Sequence, residues 1–127
     1  MTAPELVCPP YDGRHLIADL HGCSGLDDSA LIERILTEAA AAAGATLLEV
    51  RLHAFGAGNG VTGMALLAES HISIHTWPEH GYAAVDIFIC GIRHRLDEAL
   101  RTISLGFGAT SVVERIVERG YRAASAG

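Results

Sequence analysis

The spacing of hydrophobic and polar residues along the chain follows two periods, one typical of helices and one typical of strands. Apolar residues recur every three or four positions over residues 27–43 and 95–105, which predicts two amphipathic helices. Gly44 follows the first of them, where a C-terminal stop is expected. Six other stretches have an alternating or continuously apolar pattern, which predicts β-strands. These are residues 15–20, 46–55, 61–68, 71–75, 82–89 and 111–117.

These elements predict a single domain of the α+β class that spans residues 1–127. Because strands cluster between two helices, we expect a two-layer sandwich in which both helices cover one face of a mainly antiparallel sheet. The element order that we assign is β-α-β-β-β-α-β. Residues 1–13 are predicted to form a flexible arm. The face of the sheet opposite the helices is left for function or for a partner.

Composition narrows the classes of function. The formal net charge is −6 and the nine basic residues are scattered, so no nucleic-acid partner is expected. All nine are arginine, and a chain without lysine cannot form the lysine link of a pyridoxal phosphate enzyme. The cysteines Cys8, Cys23 and Cys90 are too widely spaced to predict a disulfide framework. With no signal segment and no apolar run of about 20 residues, we expect a cytoplasmic protein with no membrane partner.

The chemically informative segment is residues 68–91, AESHISIHTWPEHGYAAVDIFICG. In a regular strand, Ser70 would lie on one face while His71, Ser73 and His75 would project together from the other. A single histidine in such a strand is most simply a structural, hydrogen-bonded residue. The crowding of titratable groups is what makes a functional site worth considering.

The same residues give weaker support for three other kinds of site: a metal site, a hydrolase nucleophile and a dinucleotide site. The three histidines and the cysteine of the segment are potential metal ligands: His71, His75, His80 and Cys90. Their spacing fits no common zinc pattern, so no metal site is predicted. Ser70 lacks the flanking glycines of a hydrolase nucleophile motif. The G-x-G-x-x-G run at residues 58–63 is followed by a strand pattern, which predicts a tight loop rather than a dinucleotide site.

The segment resembles the signature of the prokaryotic S-adenosylmethionine decarboxylases, ESH-x-x-IHTWPE-x-GYAA-x-D-x-F-x-CG. The resemblance reaches back through GVTG at 60–63, GATLLEVRLHAF at 44–55 and GRHLIADLHGC at 13–23. It fades beyond Gly91. It implies a decarboxylase that acts on S-adenosylmethionine and supplies the decarboxylated product for spermidine synthesis.

The resemblance also implies that the chain is a proenzyme that cuts itself between Glu69 and Ser70. The Ser70 hydroxyl attacks the preceding carbonyl, the peptide becomes an ester, and elimination followed by hydrolysis leaves a pyruvoyl group and ammonia. The products would be a β chain of residues 1–69 and an α chain of residues 70–127 that begins with the pyruvoyl cofactor. Its carbonyl would form a Schiff base with the substrate, in place of pyridoxal phosphate.

Roles for individual residues follow from the same resemblance. His75 would assist processing, and Thr62 would steady the tetrahedral intermediate of the acyl shift. Cys90 would return a proton to the substrate after carbon dioxide leaves, which suits a thiol because its reference pKa of about 8.5 lies near neutrality. Glu79 would accept hydrogen bonds from the ribose hydroxyls, and Phe55 would stack on the adenine.

Two regions depart from the family pattern: the loop GAGN at residues 56–59, which lacks a proline, and the segment from Ile92. They leave open a pyruvoyl-dependent ornithine or arginine decarboxylase on the same scaffold. A non-catalytic protein that binds a metal or a nucleoside is the alternative of a different class. For the decarboxylase, family resemblance and small size predict a homodimer of cleaved protomers with active sites near the interface.

Overall fold

A computed structural model describes residues 13–68, 70–90 and 95–120 of the chain. The elements within these ranges are β1 (Gly13–His21), α1 (Ser29–Ala42), β2 (Leu47–Ala54), β3 (Val61–Leu67), β4 (Ser70–Trp77), β5 (Tyr82–Cys90), α2 (Leu96–Gly106) and β6 (Ser111–Arg119). A 3₁₀ turn, Pro78–His80, joins β4 to β5. The strands form one sheet in the order β2-β3-β4-β5-β1-β6, and every neighbouring pair is antiparallel.

Both helices pack on one face of this sheet, and burial alternates accordingly along β1, β3, β4 and β5, whereas the edge strand β6 is exposed throughout. In β4, Ile72, Ile74 and Thr76 are buried, whereas His75 and Trp77 are exposed. The face away from the helices is called the open face below. It exposes several large apolar side chains: Ile17, Met64, Leu66, Trp77, Val113 and Val117.

The ends of the helices follow from local chemistry. The side chain of Asp28 accepts a hydrogen bond from the backbone N–H of Leu31 at 3.1 Å and caps α1. Gly44 has φ +78° just beyond the helix, which confirms the predicted stop. In the last turn of α2, a Cβ on Gly106 would lie 2.7 Å from the side chain of Ile35. The glycine therefore lets α2 pack closely against α1. Neither of these two helices has the length and apolar character needed to cross a membrane.

The predicted α+β sandwich, with helices on one face of an antiparallel sheet, is confirmed. The predicted order β-α-β-β-β-α-β is wrong by one strand, because four strands lie between the helices, one for each of the predicted stretches 46–55, 61–68, 71–75 and 82–89. Strands β3 and β4 pair as a hairpin. The predicted arm lies outside the described residues except for Gly13, which begins β1.

Candidate active site

Ser70 is the first residue of β4, at the point where cleavage is predicted. Its Oγ is shielded from solvent and has no hydrogen-bond partner among the described residues. A buried hydroxyl without a hydrogen bond lowers the stability of the folded chain, so its presence in a native protein needs a reason. A role as a nucleophile, kept free of competing hydrogen bonds, is such a reason. Glu69, on the other side of the predicted bond, lies outside the described residues.

Cys90 ends β5 at the same end of the sheet as Ser70. The two strands are antiparallel with His71 opposite Phe88. Continuing that register by one residue places Ile89 opposite Ser70, so Cys90 follows the residue that faces Ser70. Alternation along β5 puts its half-buried side chain on the open face. Ser70 and Cys90, with the residues beside them, are called the cleavage end below.

Four other predicted residues meet at the opposite end of β4. Phe55, Thr62, His75 and Glu79 line a cleft of about 340 Å³, together with Trp77. Thr62 and His75 are direct neighbours in the pairing of β3 with β4, and Oγ1 of Thr62 lies 3.3 Å from Nδ1 of His75. The structure therefore brings the two predicted processing residues into hydrogen-bond contact.

The loop before β3 shapes this cleft through backbone contacts. A Cβ on Gly60 would lie 2.1 Å from the carbonyl oxygen of Thr76, so the chain approaches here only because the residue is glycine. The hydroxyl of Thr76 accepts from the N–H of Val61 at 2.9 Å. Asn59 donates from its side chain to the carbonyl of Phe55 at 3.1 Å. The proline-free loop is thus closed by its own hydrogen bonds, in agreement with the predicted tight loop, and the strand β3 follows it.

An aromatic pair supports the far wall of the cleft. The rings of Trp77 and Tyr82 stack with centroids 5.1 Å apart, on either side of the turn that carries Glu79. The Tyr82 hydroxyl donates to Asp19 at 2.7 Å. This hydrogen bond, with a smaller contribution from burial, raises the pKa of Tyr82 because it stabilises the protonated phenol.

The cleft and the cleavage end do not meet within one chain. Ser70 and His75 are five residues apart on a continuous strand. At about 3.3 Å per residue they are separated by about 16 Å, whereas a hydrogen bond spans about 3 Å. A single protomer therefore holds both sets of predicted residues but does not place Thr62 or His75 next to Ser70.

Sequence reasoning missed a polar cluster beside the cleavage end. Nitrogen atoms of His15 and His71 and a carboxylate oxygen of Asp86 lie within 4.8 Å of one another on the open face. Of the four metal-ligand residues considered from the sequence, His71 alone belongs to it. A signal was present, because Asp86 is the single acid in the otherwise apolar strand β5, and alternation places it on the open face with Phe88 and Cys90.

A sequence profile of the S-adenosylmethionine decarboxylase family matches residues 14–120. The chain belongs to that family. The match continues through α2 and β6, so the family relationship extends past Gly91, where the resemblance by motif fades. The divergent segment is part of the family's domain.

Individual relatives agree with this assignment. The S-adenosylmethionine decarboxylase proenzyme of Moorella thermoacetica is 46% identical over 110 residues, covering 85% of this chain and 87% of the relative. The proenzyme of the same name from Synechococcus sp. (strain WH7803) is 60% identical over 81 residues, 62% of each chain. The crystal structure of the adenosylmethionine decarboxylase from Aquifex aeolicus is 34% identical and superimposes with a TM-score of 0.81, covering 90% of this chain and 95% of that one.

Proposed function

We propose that this chain is a self-cleaving S-adenosylmethionine decarboxylase that cuts itself between Glu69 and Ser70 and uses the pyruvoyl group formed from Ser70. Family membership supports the activity, and relatives named as proenzymes support the cleavage. The observation that carries the proposal is Ser70 itself. Its buried Oγ, which has no hydrogen-bond partner among the residues that the structure describes, stands at the start of β4, directly after the carbonyl that it would attack.

The residues around Ser70 fit a pyruvoyl group. When bound, such a carbonyl withdraws the electrons released as carbon dioxide leaves, which is chemistry that a chain without lysine cannot obtain from pyridoxal phosphate. Cys90, which follows the residue that faces Ser70, would hold the proton that is returned to the substrate. Both groups lie at one end of the sheet.

The cleft favours S-adenosylmethionine over a basic amino acid as the substrate. Phe55 and Trp77 present aromatic rings that are 59% and 40% exposed, and a nucleoside base stacks on such surfaces. Glu79 supplies a carboxylate that can accept from both ribose hydroxyls. Ornithine has no flat group to stack on these rings, and arginine, whose planar guanidinium can stack, has no pair of ribose hydroxyls for Glu79. The decarboxylated product would serve spermidine synthesis, and a cytoplasmic location is part of this proposal.

The functional unit would be a homodimer with active sites shared between protomers. The open face exposes apolar side chains along its whole length, a surface typical of an interface. A two-fold axis between two such faces, perpendicular to the strands, reverses the direction of β4 in the partner. The cleavage end of one protomer would then face the cleft of the other. This arrangement supports the predicted roles of Thr62 and His75, which one chain leaves about 16 Å from Ser70.

The direct test is release of labelled carbon dioxide from three substrates supplied separately and in competition: S-adenosylmethionine, ornithine and arginine, each labelled at the carboxyl carbon. We expect release from S-adenosylmethionine by the cleaved protein. Release from ornithine or arginine alone would contradict the substrate assignment. An uncut chain that binds a nucleoside but releases nothing would indicate a binding protein instead.

A further inference from the structure

A hydrogen-bonded cluster ties three strands together beside the predicted cleavage point. Asp86 lies in β5, between β1 and β4 in the sheet. Its Oδ2 accepts from Nε2 of His15 at 2.6 Å and from Nε2 of His71 at 3.1 Å. Its Oδ1 accepts from the hydroxyl of Ser73. The cluster is partly buried, and His71 directly follows Ser70 in the chain.

Arg119 in β6 contacts His15 in a way that favours hydrogen bonds over a metal ion. The hydrogen-bonded group of Asp86, His15 and His71 is called the clamp below. Its Nη1 lies 3.5 Å from Nδ1 of His15, and a guanidinium only donates. Nδ1 of His15 therefore accepts, and the proton of the neutral ring lies on Nε2, which faces Asp86. A cation bound at Nε2 would move that proton to Nδ1, against a donor, whereas metal-bound histidines direct this N–H at an acceptor. The contacts around Asp86 are therefore hydrogen bonds from several donors to one carboxylate.

The clamp acts where β4 is paired on one side only. Ser70 pairs with Leu67 of β3, whereas the ladder between β4 and β5 begins one residue later, at His71. Strand pairing alone therefore restrains Ser70 less than the residues that follow it. The contact from His71 to Asp86, itself braced by His15, adds a side-chain restraint at this point.

We propose that Asp86 and His15 are positioning residues for the self-cleavage of this chain, an inference that rests on the proposed function. By holding the His71 ring they fix the backbone at the start of β4, and with it Oγ of Ser70 relative to the preceding carbonyl. Acyl transfer requires the attacking oxygen near its target, and a misplacement of about 1 Å can cost about 100-fold in rate. Both residues act through His71.

The test compares the cleavage rates of freshly synthesised chains, followed as the full-length band converts to two fragments. Asp86→Asn keeps the shape of the side chain but replaces the charged carboxylate by a neutral amide, whose single oxygen forms weaker hydrogen bonds to the two histidines. His71→Leu removes the donor to Asp86, whereas His71→Gln keeps one. Asp97→Asn, the same chemical change in the first turn of α2, is the control.

We expect Asp86→Asn and His71→Leu to slow cleavage by about 10- to 100-fold, with His71→Gln and Asp97→Asn close to the wild type. Rescue by glutamine would not follow from a loss of packing alone. Cleavage of Asp86→Asn at the wild-type rate would overturn this inference, as would equal slowing by His71→Leu and His71→Gln. A wild-type chain that stays uncut would overturn the proposed function itself, which separates the two failures.

Discussion

Cys90 and Ser70 lie at the same end of the sheet but would act at different stages. Ser70 is needed for cleavage, whereas Cys90 would give its proton only after the substrate has lost carbon dioxide. The register of β5 places Cys90 next to Ile89, the residue opposite Ser70, and in the proposed function it is not the nucleophile. The two roles can therefore be separated by substitution.

Cys90→Ala is expected to cleave like the wild type but to release carbon dioxide about 100-fold more slowly or worse, because a positioned general acid contributes about 10²- to 10⁴-fold. Turnover per mole of cleaved protein measures this. Cys23→Ala is the matched control, since Cys23 lies after β1 where burial raises the pKa of its thiol. Wild-type turnover by Cys90→Ala would rule out the donor assignment.

Thr62 offers a test of a single hydroxyl. Thr62→Val removes the group 3.3 Å from His75 while keeping the β-branched shape, and we expect cleavage to slow by about 100-fold, the typical loss on removing one donor to an oxyanion. Thr62→Ser keeps the hydroxyl and should cleave at nearly the wild-type rate. The conversion of full-length chain over time distinguishes them. Equal rates for valine and serine would show that the hydroxyl has no part in processing.

At the scale of the element, α1 depends on its first turn. Asp28→Ala removes the cap on the N–H of Leu31 and is expected to lower the free energy of unfolding by about 1 kcal/mol. Asp27→Ala, one residue earlier, removes the same charge without the cap. Urea unfolding of the two variants gives the comparison. If both lose the same stability, the effect comes from charge near the helix end and not from the cap.

Each element could be predicted because its own pattern of burial is local. The alternation in β4 places His71, Ser73 and His75 on one face, and the apolar spacing of α1 and α2 marks the sides that pack on the sheet. The order of strands is not local. His15 reaches Asp86 only because β1 lies beside β5, although 71 residues separate them in sequence. No periodicity in either strand indicates that pairing, so the cluster was missed.

At the scale of the whole molecule, the predicted site residues lie at two separate places that the sequence did not distinguish. The signature in residues 68–91 is one continuous motif, but most of the length of β4 separates Ser70 from His75 within it. Ser70 and Cys90 are near each other because β4 and β5 are antiparallel, and Thr62 and His75 because β3 and β4 are. Only the three-dimensional register shows that the two pairs are apart.

A shared site predicts complementation between two inactive chains. Ser70→Ala cannot form the pyruvoyl group, and His75→Ala is expected to cleave slowly when it is the sole chain present. In a mixed dimer, Ser70 of the His75→Ala chain would face the intact His75 of its partner. Co-expression should therefore restore cleavage of the His75→Ala chain, followed by mass after separate tagging. Unchanged slow cleavage in a verified mixed dimer would show that each protomer processes itself alone.

Self-cleavage is tested most directly by the covalent state of the purified protein, which is measured as its intact mass under denaturing conditions. We predict two chains, residues 1–69 and residues 70–127. The second should be lighter than a fragment that begins with serine by the mass of one ammonia, because a pyruvoyl group replaces the serine. Ser70→Ala should give one intact chain in the same preparation. A wild-type protein of full-length mass, or a Ser70→Ala chain cut at the same bond, would contradict the self-cleavage on which the proposed function rests.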